Sequence, residues 1–246
     1  MWPLNAALGS IAEAGITGAE LMVTRDPVTQ SPVAARALAD KEGIEFVALH
    51  SPMLILNRLV WGPGFRKIVD RSAQMSKDLG AGMVIIHPPY RIETQYQRWL
   101  LTTLNGASTY QGVELAVENM FRVWVKGTPL RMHRWLSPED LTAFSKVTLD
   151  TSHCAVDGHD ILEAVQTLNS RIVHVHLSDN QGARRDDHAP PGQGILPLKP
   201  FIRQLAQIGF TGAISLEMDL RPAAGDRAKA VKVLKAARKY CEDALG

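Results

Sequence analysis

Short β-branched runs alternate with helical stretches along almost all of this 246-residue chain, and that alternation predicts an α/β fold on a parallel sheet. Two further observations narrow the class. No glycine-rich phosphate turn follows the first strand, which counts against an open doubly wound sheet. The length suits a (β/α)8 barrel of the TIM type, typically ~250 residues. Such a barrel opens with a strand, whereas this chain opens with a helix. The expectation is therefore a (β/α)8 barrel whose first strand is missing or truncated. No linker or low-complexity stretch interrupts it, so 1–246 reads as one domain.

The elements follow in order. Pro3–Ala14 reads as a helix with Pro3 near its first turn and Gly15 as its stop. A strand at Ala19–Val23 leads to a helix at Ser31–Glu42, and Ile44–Leu49 is a strand ending in His50. Gly64–Leu79 is helical, Met83–Ile86 is a strand ending in His87, and a helix covers Glu93–Ser108. Val113–Val117 ends in Glu118, and the connection from Asn119 to Leu136 is rich in aromatic and basic residues. Ser137-Pro138-Glu139-Asp140 starts a helix with a capping pattern, the serine accepting from first-turn amides. Lys146–Leu149 is a strand ending in Asp150, and Gly158–Leu168 is helical. After the strand that begins at Ile172 come a helix at Leu198–Ile208, a strand at Ala213–Leu216 ending in Glu217, and a last helix at Pro222–Ala244.

Bulk properties exclude several classes. With 46% hydrophobic and 21% charged residues the composition is that of an ordinary globular protein. A net charge of +2 is too small to argue for nucleic acid by electrostatics. Cys154 and Cys241 form no disulfide framework and suit a reducing cytoplasm. No apolar run reaches the ~18 residues of a membrane span, and the first residues lack the basic region of a signal peptide. The expectation is a cytoplasmic protein.

The stretch Arg171–Gly194, RIVHVHLSDNQGARRDDHAPPGQG, organises the rest. Its strand places His174 and His176 on one face, which is costly for a buried strand unless the imidazoles have partners. A polar loop with Asp179, Asp186 and His188 follows, closing at Gly192 and Gly194, where backbone can approach a bound group. Elsewhere, strand after strand ends in a residue that can bind metal: His50, His87, Glu118, Asp150, His176 and Glu217. Any one of these is ordinarily a hydrogen-bonding or capping group. The whole set, gathered at the C-terminal strand ends of a barrel, points to a site there. His153, three residues after Asp150, can face the same mouth. His174 reads as a deeper supporting group, His133 and His159 as surface residues, and Cys154 as a small buried thiol. Lys229, Lys232, Lys235, Arg238 and Lys239 of the last helix read as a solvated face. Carboxylates and imidazoles without thiolate suit Zn²⁺, Mn²⁺, Fe²⁺ or Co²⁺ better than Mg²⁺.

At these residues the sequence resembles the xylose-isomerase-like barrel superfamily of sugar (phosphate) isomerases and epimerases, which also holds zinc-dependent apurinic endonucleases. The resemblance rests on LHSP (49–52), IIHPP (85–89), VEN (117–119), LDTSH (149–153), HVHLSDN (174–180), DDHAPPGQG (186–194) and ISLE (214–217), in the family's order. It implies that Glu118, Asp150, His176 and Glu217 hold an epimerase-type metal, with Glu118 and Glu217 as the acid/base pair and His153 and His188 binding substrate. The endonuclease pattern implies further ions, one shared by His50, His87 and Glu118 and one held by His153, Asp186 and His188. The implied cofactor is one to three divalent ions, zinc or manganese first.

Two departures bear on this. The family's first strand is absent, with Trp2-Pro3 like the turn that follows it. The loop HSPMLILN carries Met53 where the endonucleases carry a tyrosine, which counts against DNA. The expected function is a metal-dependent isomerase or epimerase acting on a small polyol or sugar. The alternatives are a multi-zinc phosphodiesterase and a non-catalytic sugar-binding barrel. The loop at 121–135 can cover a substrate or join copies of a homo-oligomer.

Overall fold

The computed structural model describes residues 2–54, 59–104 and 109–246. In chain order the elements are α1 (Leu4–Glu13), β1 (Gly18–Met22), α2 (Pro32–Glu42), β2 (Glu45–His50), α3 (Phe65–Leu79) and β3 (Met83–Ile86). There follow α4 (Thr94–Leu104), β4 (Glu114–Glu118), β5 (Val123–Val125), β6 (Thr128–Leu130), α5 (Pro138–Leu141), β7 (Val147–Asp150) and α6 (Thr151–Asp157). The chain finishes with α7 (Ile161–Leu168), β8 (Ile172–Leu177), α8 (Leu198–Gln207), β9 (Ala213–Leu216) and α9 (Arg227–Leu245). Positions 105–108 of the expected fourth helix, and 55–57 of the loop after His50, lie outside the described residues. No helix among the described residues is long and apolar enough to cross a membrane.

The chain divides into two compact units. One comprises Met1–His87, Thr109–Leu115 and Leu220–Arg238; the other comprises Pro88–Ser108, Ala116–Asp219 and Lys239–Gly246. In the first unit β1, β2 and β3 pair in parallel, Met22 beside His50 and His50 beside Ile85. Their core is apolar and tight: Leu21, Ala48, Leu49, Val84, Ile85 and Ile86 are all but inaccessible. Helix α2 starts where Ser31 accepts from the Ala34 amide (3.3 Å) with Pro32 in its first turn. Arg238 donates to the carbonyls of Ala14 and Gly15 at 3.0 and 2.9 Å, so it anchors α1 and is no part of a purely solvated face.

In the second unit the parallel order is β4, β7, β8, β9. The register sets the site: Glu118 lies beside Thr148, Asp150 beside His176, and Leu177 beside Leu216, one residue before Glu217. Two helices cover this sheet with the same periodicity. Helix α7 buries Ile161, Ala164, Val165 and Leu168, and α8 buries Leu198, Phe201, Ile202 and Leu205. That i, i+3, i+4, i+7 spacing makes one apolar stripe on each helix. The two helices lie side by side, each large buried side chain contributes ~2 kcal/mol, and Gln204 Nε2 donates to the Leu162 carbonyl (3.1 Å) between them.

Three sequence expectations change here. The region read as one helix over 158–168 is preceded by α6, which Asp150 caps by accepting from the His153 amide at 2.7 Å. The aromatic connection after Glu118 contains the antiparallel hairpin β5–β6. His133 is buried, 5% exposed, with its Nδ1 2.7 Å from the Pro88 carbonyl and its ring 4.3 Å from that of Tyr90. A neighbouring carbonyl acceptor and an aromatic partner make an imidazole tolerable inside.

Candidate metal centre

In the second unit four side chains converge at the C-terminal ends of their strands. Glu118, Asp150, His176 and Glu217 each offer one donor atom, all within 4.8 Å of one another. Donors around a tetrahedral zinc ion lie ~3.4 Å apart, so the widest pairs of this set would draw together around an ion. His176 Nδ1 is 3.1 Å from Glu118 Oε1, 2.8 Å from Glu217 Oε2 and 3.8 Å from Asp150 Oδ2. Glu118, Asp150 and His176 are at most 1% exposed, while the Glu217 side chain is 29% exposed and marks the open side. Asp150 Oδ1 is used by the α6 cap, but its Oδ2 is buried and accepts no hydrogen bond from the described residues.

Three carboxylates around one imidazole leave excess negative charge in a buried place, which is unfavourable unless protons or a cation neutralise it. Burial pushes the Asp150 carboxyl up to about 6 despite the nearby imidazoles. Burial also acts to raise the Glu217 carboxyl, but His176 outweighs it and leaves Glu217 lowered. An oxygen–nitrogen donor set that includes the buried Asp150 Oδ2 fits a divalent cation on chemical grounds.

A second group adjoins the first through Asp150: Asp150, His153 and His188 also offer donor atoms within 4.8 Å of one another. Asp186 joins it, with Oδ2 2.8 Å from His188 Nε2 and 3.5 Å from His153 Nε2. Ser152 Oγ donates to Asp186 Oδ1 (2.7 Å) and in turn accepts from Asn180 Nδ2 (2.9 Å). Burial pulls both imidazoles toward the neutral form, yet the carboxylates prevail. His153 is held well above the ordinary histidine range by Asp150, Asp186 and Glu118, and His188 is raised to about 9, chiefly by its bond to Asp186. Asp186 is lowered, its burial outweighed by hydrogen bonds from the two histidines.

Of the residues singled out in the sequence, Glu118, Asp150, His153, His176, Asp186, His188 and Glu217 are thus brought together in the second unit. His50 and His87 belong to the first, where adjacent strand ends bring their rings to 4.9 Å, edge to face; both are buried. His174 lies beneath His176, 1% exposed, the two rings perpendicular at 5.4 Å. Cys154 is a buried free thiol. The glycines closing the loop turn out to accommodate the protein itself. A Cβ on Gly194 would lie 2.3 Å from Asp179 Oδ1 and 2.4 Å from the Asn180 carbonyl, and one on Gly192 would meet the Tyr240 ring. Asn119, Ser152 and Asn180 carry no functional signal of their own in the sequence, although they lie within VEN (117–119), LDTSH (149–153) and HVHLSDN (174–180).

Parallel strands whose C-terminal ends collect carboxylates and imidazoles define a (β/α)-type scaffold with a site at its strand ends. The chain belongs to the xylose isomerase-like TIM barrel family, whose model matches residues 8–239. An uncharacterized protein of Mycobacterium tuberculosis, Rv0498, is 31% identical over 254 residues, covering 91% of this chain and 87% of that one. Among solved structures, a D-psicose 3-epimerase in the presence of D-fructose superposes with a TM-score of 0.71 at 17% identity, covering 100% of this chain and 94% of the other. The 3-keto-D-glucoside 4-epimerase YcjR of E. coli gives 0.70 at 15% identity, covering 99% and 96%. The fold is therefore that of sugar isomerases and epimerases.

Proposed function

We propose that the protein is a divalent-metal-dependent isomerase or epimerase that moves a proton on a carbon next to the carbonyl of a small sugar or polyol derivative. The observation that carries this reading is Asp150 Oδ2, buried without a hydrogen-bond partner among Glu118, His176 and Glu217. These four side chains would hold the ion, with zinc or manganese suited to a donor set without thiolate. The ion would supply Lewis-acid stabilisation of negative charge developing on substrate oxygen.

Glu118 and Glu217 approach His176 at 3.1 and 2.8 Å from different strands. One carboxylate takes the proton from the substrate carbon, leaving an enediolate, and the other group in its acid form returns a proton, so the proton count closes. His153, kept charged chiefly by Asp150, and His188, kept charged chiefly by Asp186, each turn Nε2 toward Asp186 and attract substrate oxygens through their positive charge. Likeness to named sugar epimerases supports a carbohydrate substrate, and two free cysteines agree with a cytoplasmic setting.

A second reading, a multi-zinc phosphodiesterase, is favoured by the adjoining Asp150, His153 and His188 group. Metal content and deuterium exchange separate the two. Manganese- or zinc-loaded protein incubated with ketoses, aldoses and inososes in D₂O should introduce deuterium next to the carbonyl. Two or more zinc ions per chain with cleavage of abasic DNA and no exchange would establish the second reading. Failure to bind any divalent ion would remove both.

A further inference from the structure

Asp150 stands where three structural requirements meet. It is the last residue of β7 and the N-cap of α6, and it offers its orphaned Oδ2 to the centre. The ladder that should support it from β4 ends one step too early, since the last rung is the Asn119 amide donating to the Thr148 carbonyl at 3.3 Å. The next rung of a parallel ladder would take the Asp150 amide to the Asn119 main-chain carbonyl. That carbonyl instead accepts from His153 Nδ1 at 2.7 Å. The Asn119 side chain fills the gap. Its Oδ1 accepts from the Asp150 amide at 2.7 Å and its Nδ2 donates to the Asp150 carbonyl at 3.1 Å. A side-chain amide thus stands in for a peptide group, and the true peptide carbonyl is released to hold an imidazole. Asn119 is 1% exposed, so none of these groups has water as a substitute.

We infer that Asn119 is the positioning residue of this centre, one side chain and one carbonyl that together fix the Asp150 peptide and orient the His153 ring. The inference rests on the metal reading of the site. With Nδ1–H committed to the Asn119 carbonyl, His153 must present Nε2 toward Asp186, 3.5 Å away. The side-chain chemistry is demanding. Aspartate lacks the donor and would set an oxygen against the Asp150 carbonyl, alanine and serine fall short of both peptide groups, and glutamine is one methylene too long.

The test uses the full chain and Co²⁺ as probe. Asn119→Asp and Asn119→Ala should weaken Co²⁺ binding by about tenfold to a hundredfold, as losses of supporting hydrogen bonds do, and should shift the visible d–d bands. Leu168→Ala, a buried residue of α7, should lower thermal stability yet leave the dissociation constant and spectrum unchanged. In the Zn²⁺-loaded wild type, long-range ¹H–¹⁵N correlation should find a proton on His153 Nδ1, a measurement that needs no variant. Unchanged affinity and spectrum in both Asn119 variants, or a bare Nδ1 on His153, overturns the positioning role while leaving the metal centre in place. No Co²⁺ binding by the wild type overturns the centre and the inference with it.

Discussion

The substitution Gly194→Ala isolates how the site loop is held. The added Cβ would lie 2.3 Å from Asp179 Oδ1, 2.4 Å from the Asn180 carbonyl oxygen and 2.7 Å from the Asn180 nitrogen. Two of those atoms are backbone, so no side-chain rotation relieves the overlap. The atoms that must move are those that close the loop. Asp179 Oδ1 accepts from the Asn180 and Leu196 amides at 2.9 and 3.0 Å, Oδ2 accepts from Gly192 at 3.0 Å, and the Ile195 amide donates to the Asn180 carbonyl at 2.9 Å. Losing one charge-assisted bond costs about 2 kcal/mol, and the strain of overpacking adds about 2 kcal/mol. A total of about 4 kcal/mol at 2–4 °C per kcal/mol for a chain of this size lowers the melting temperature by roughly 8–16 °C. The comparator is Gly64→Ala, where φ is −76° and a Cβ meets nothing within 4 Å. Gly64 is the N-cap of α3, where alanine costs about 1 kcal/mol, so this variant should shift melting by no more than about 4 °C. Differential scanning calorimetry of both variants decides the matter. If Gly194→Ala melts within about 2 °C of the wild type, the close approach to Asp179 does not hold this loop.

The charge arrangement carries further expectations. In cation-free protein Asp150 keeps its proton to about 6 rather than 3.8, because of burial. His188 keeps its proton to about 9 rather than 6.5, because Asp186 outweighs burial. Both groups bind protons more tightly in the folded chain, so their contributions are present in full below the unfolded values and are lost as pH rises through about 6 and about 9. The melting temperature of the cation-free protein should therefore fall between pH 5 and pH 9, and a rise over that interval in calorimetry would contradict the assignment. Asp150→Asn retains a capping side chain but removes a buried charge. It should weaken Zn²⁺ binding by at least about a hundredfold in titration calorimetry while leaving the cation-free protein as stable as before or more so at pH 8. Glu217→Gln should reduce deuterium exchange into substrate by about 10²- to 10⁴-fold, the usual contribution of a general base, with circular dichroism unchanged; exchange at the wild-type rate would remove Glu217 from proton transfer.

Much of the framework was legible because a parallel α/β chain writes its register in local signals. Short runs such as Val147–Leu149 and Ala213–Leu216 form strands, and the residues just past them, Asp150 and Glu217, are carried to the same end of the sheet by parallel pairing. Helices α7 and α8, expected at 158–168 and 198–208, appear with an i, i+3, i+4, i+7 set of apolar residues buried. The short helix α6 gave no such signal. It spans Thr151–Asp157, too few residues for a full amphipathic repeat, and its start depends on Asp150 serving as both strand end and cap. His133 reads as a surface residue for a related reason: its burial follows from a carbonyl and a tyrosine far back in the chain, Pro88 and Tyr90, which no local pattern predicts.

Asn119 marks the limit of this kind of reading more sharply. Its neighbour Glu118 attracts notice because a carboxylate at a core strand end needs a reason, whereas an asparagine there is unremarked. What gives Asn119 its role is the point at which the β4–β7 ladder stops, and that point is a property of two paired strands rather than of either sequence. Once Asn119 N meets Thr148 O, the Asp150 peptide needs a partner, and the side chain that supplies one also releases the carbonyl that orients His153. The same reasoning applies to Ser152 and Asn180, which connect Asp186 to the Arg185 carbonyl through bonds of 2.7 to 2.9 Å. Residues that could bind a metal are visible one at a time in a sequence. The amides and hydroxyls that orient them become visible only when unpaired backbone groups at strand ends are followed to their partners.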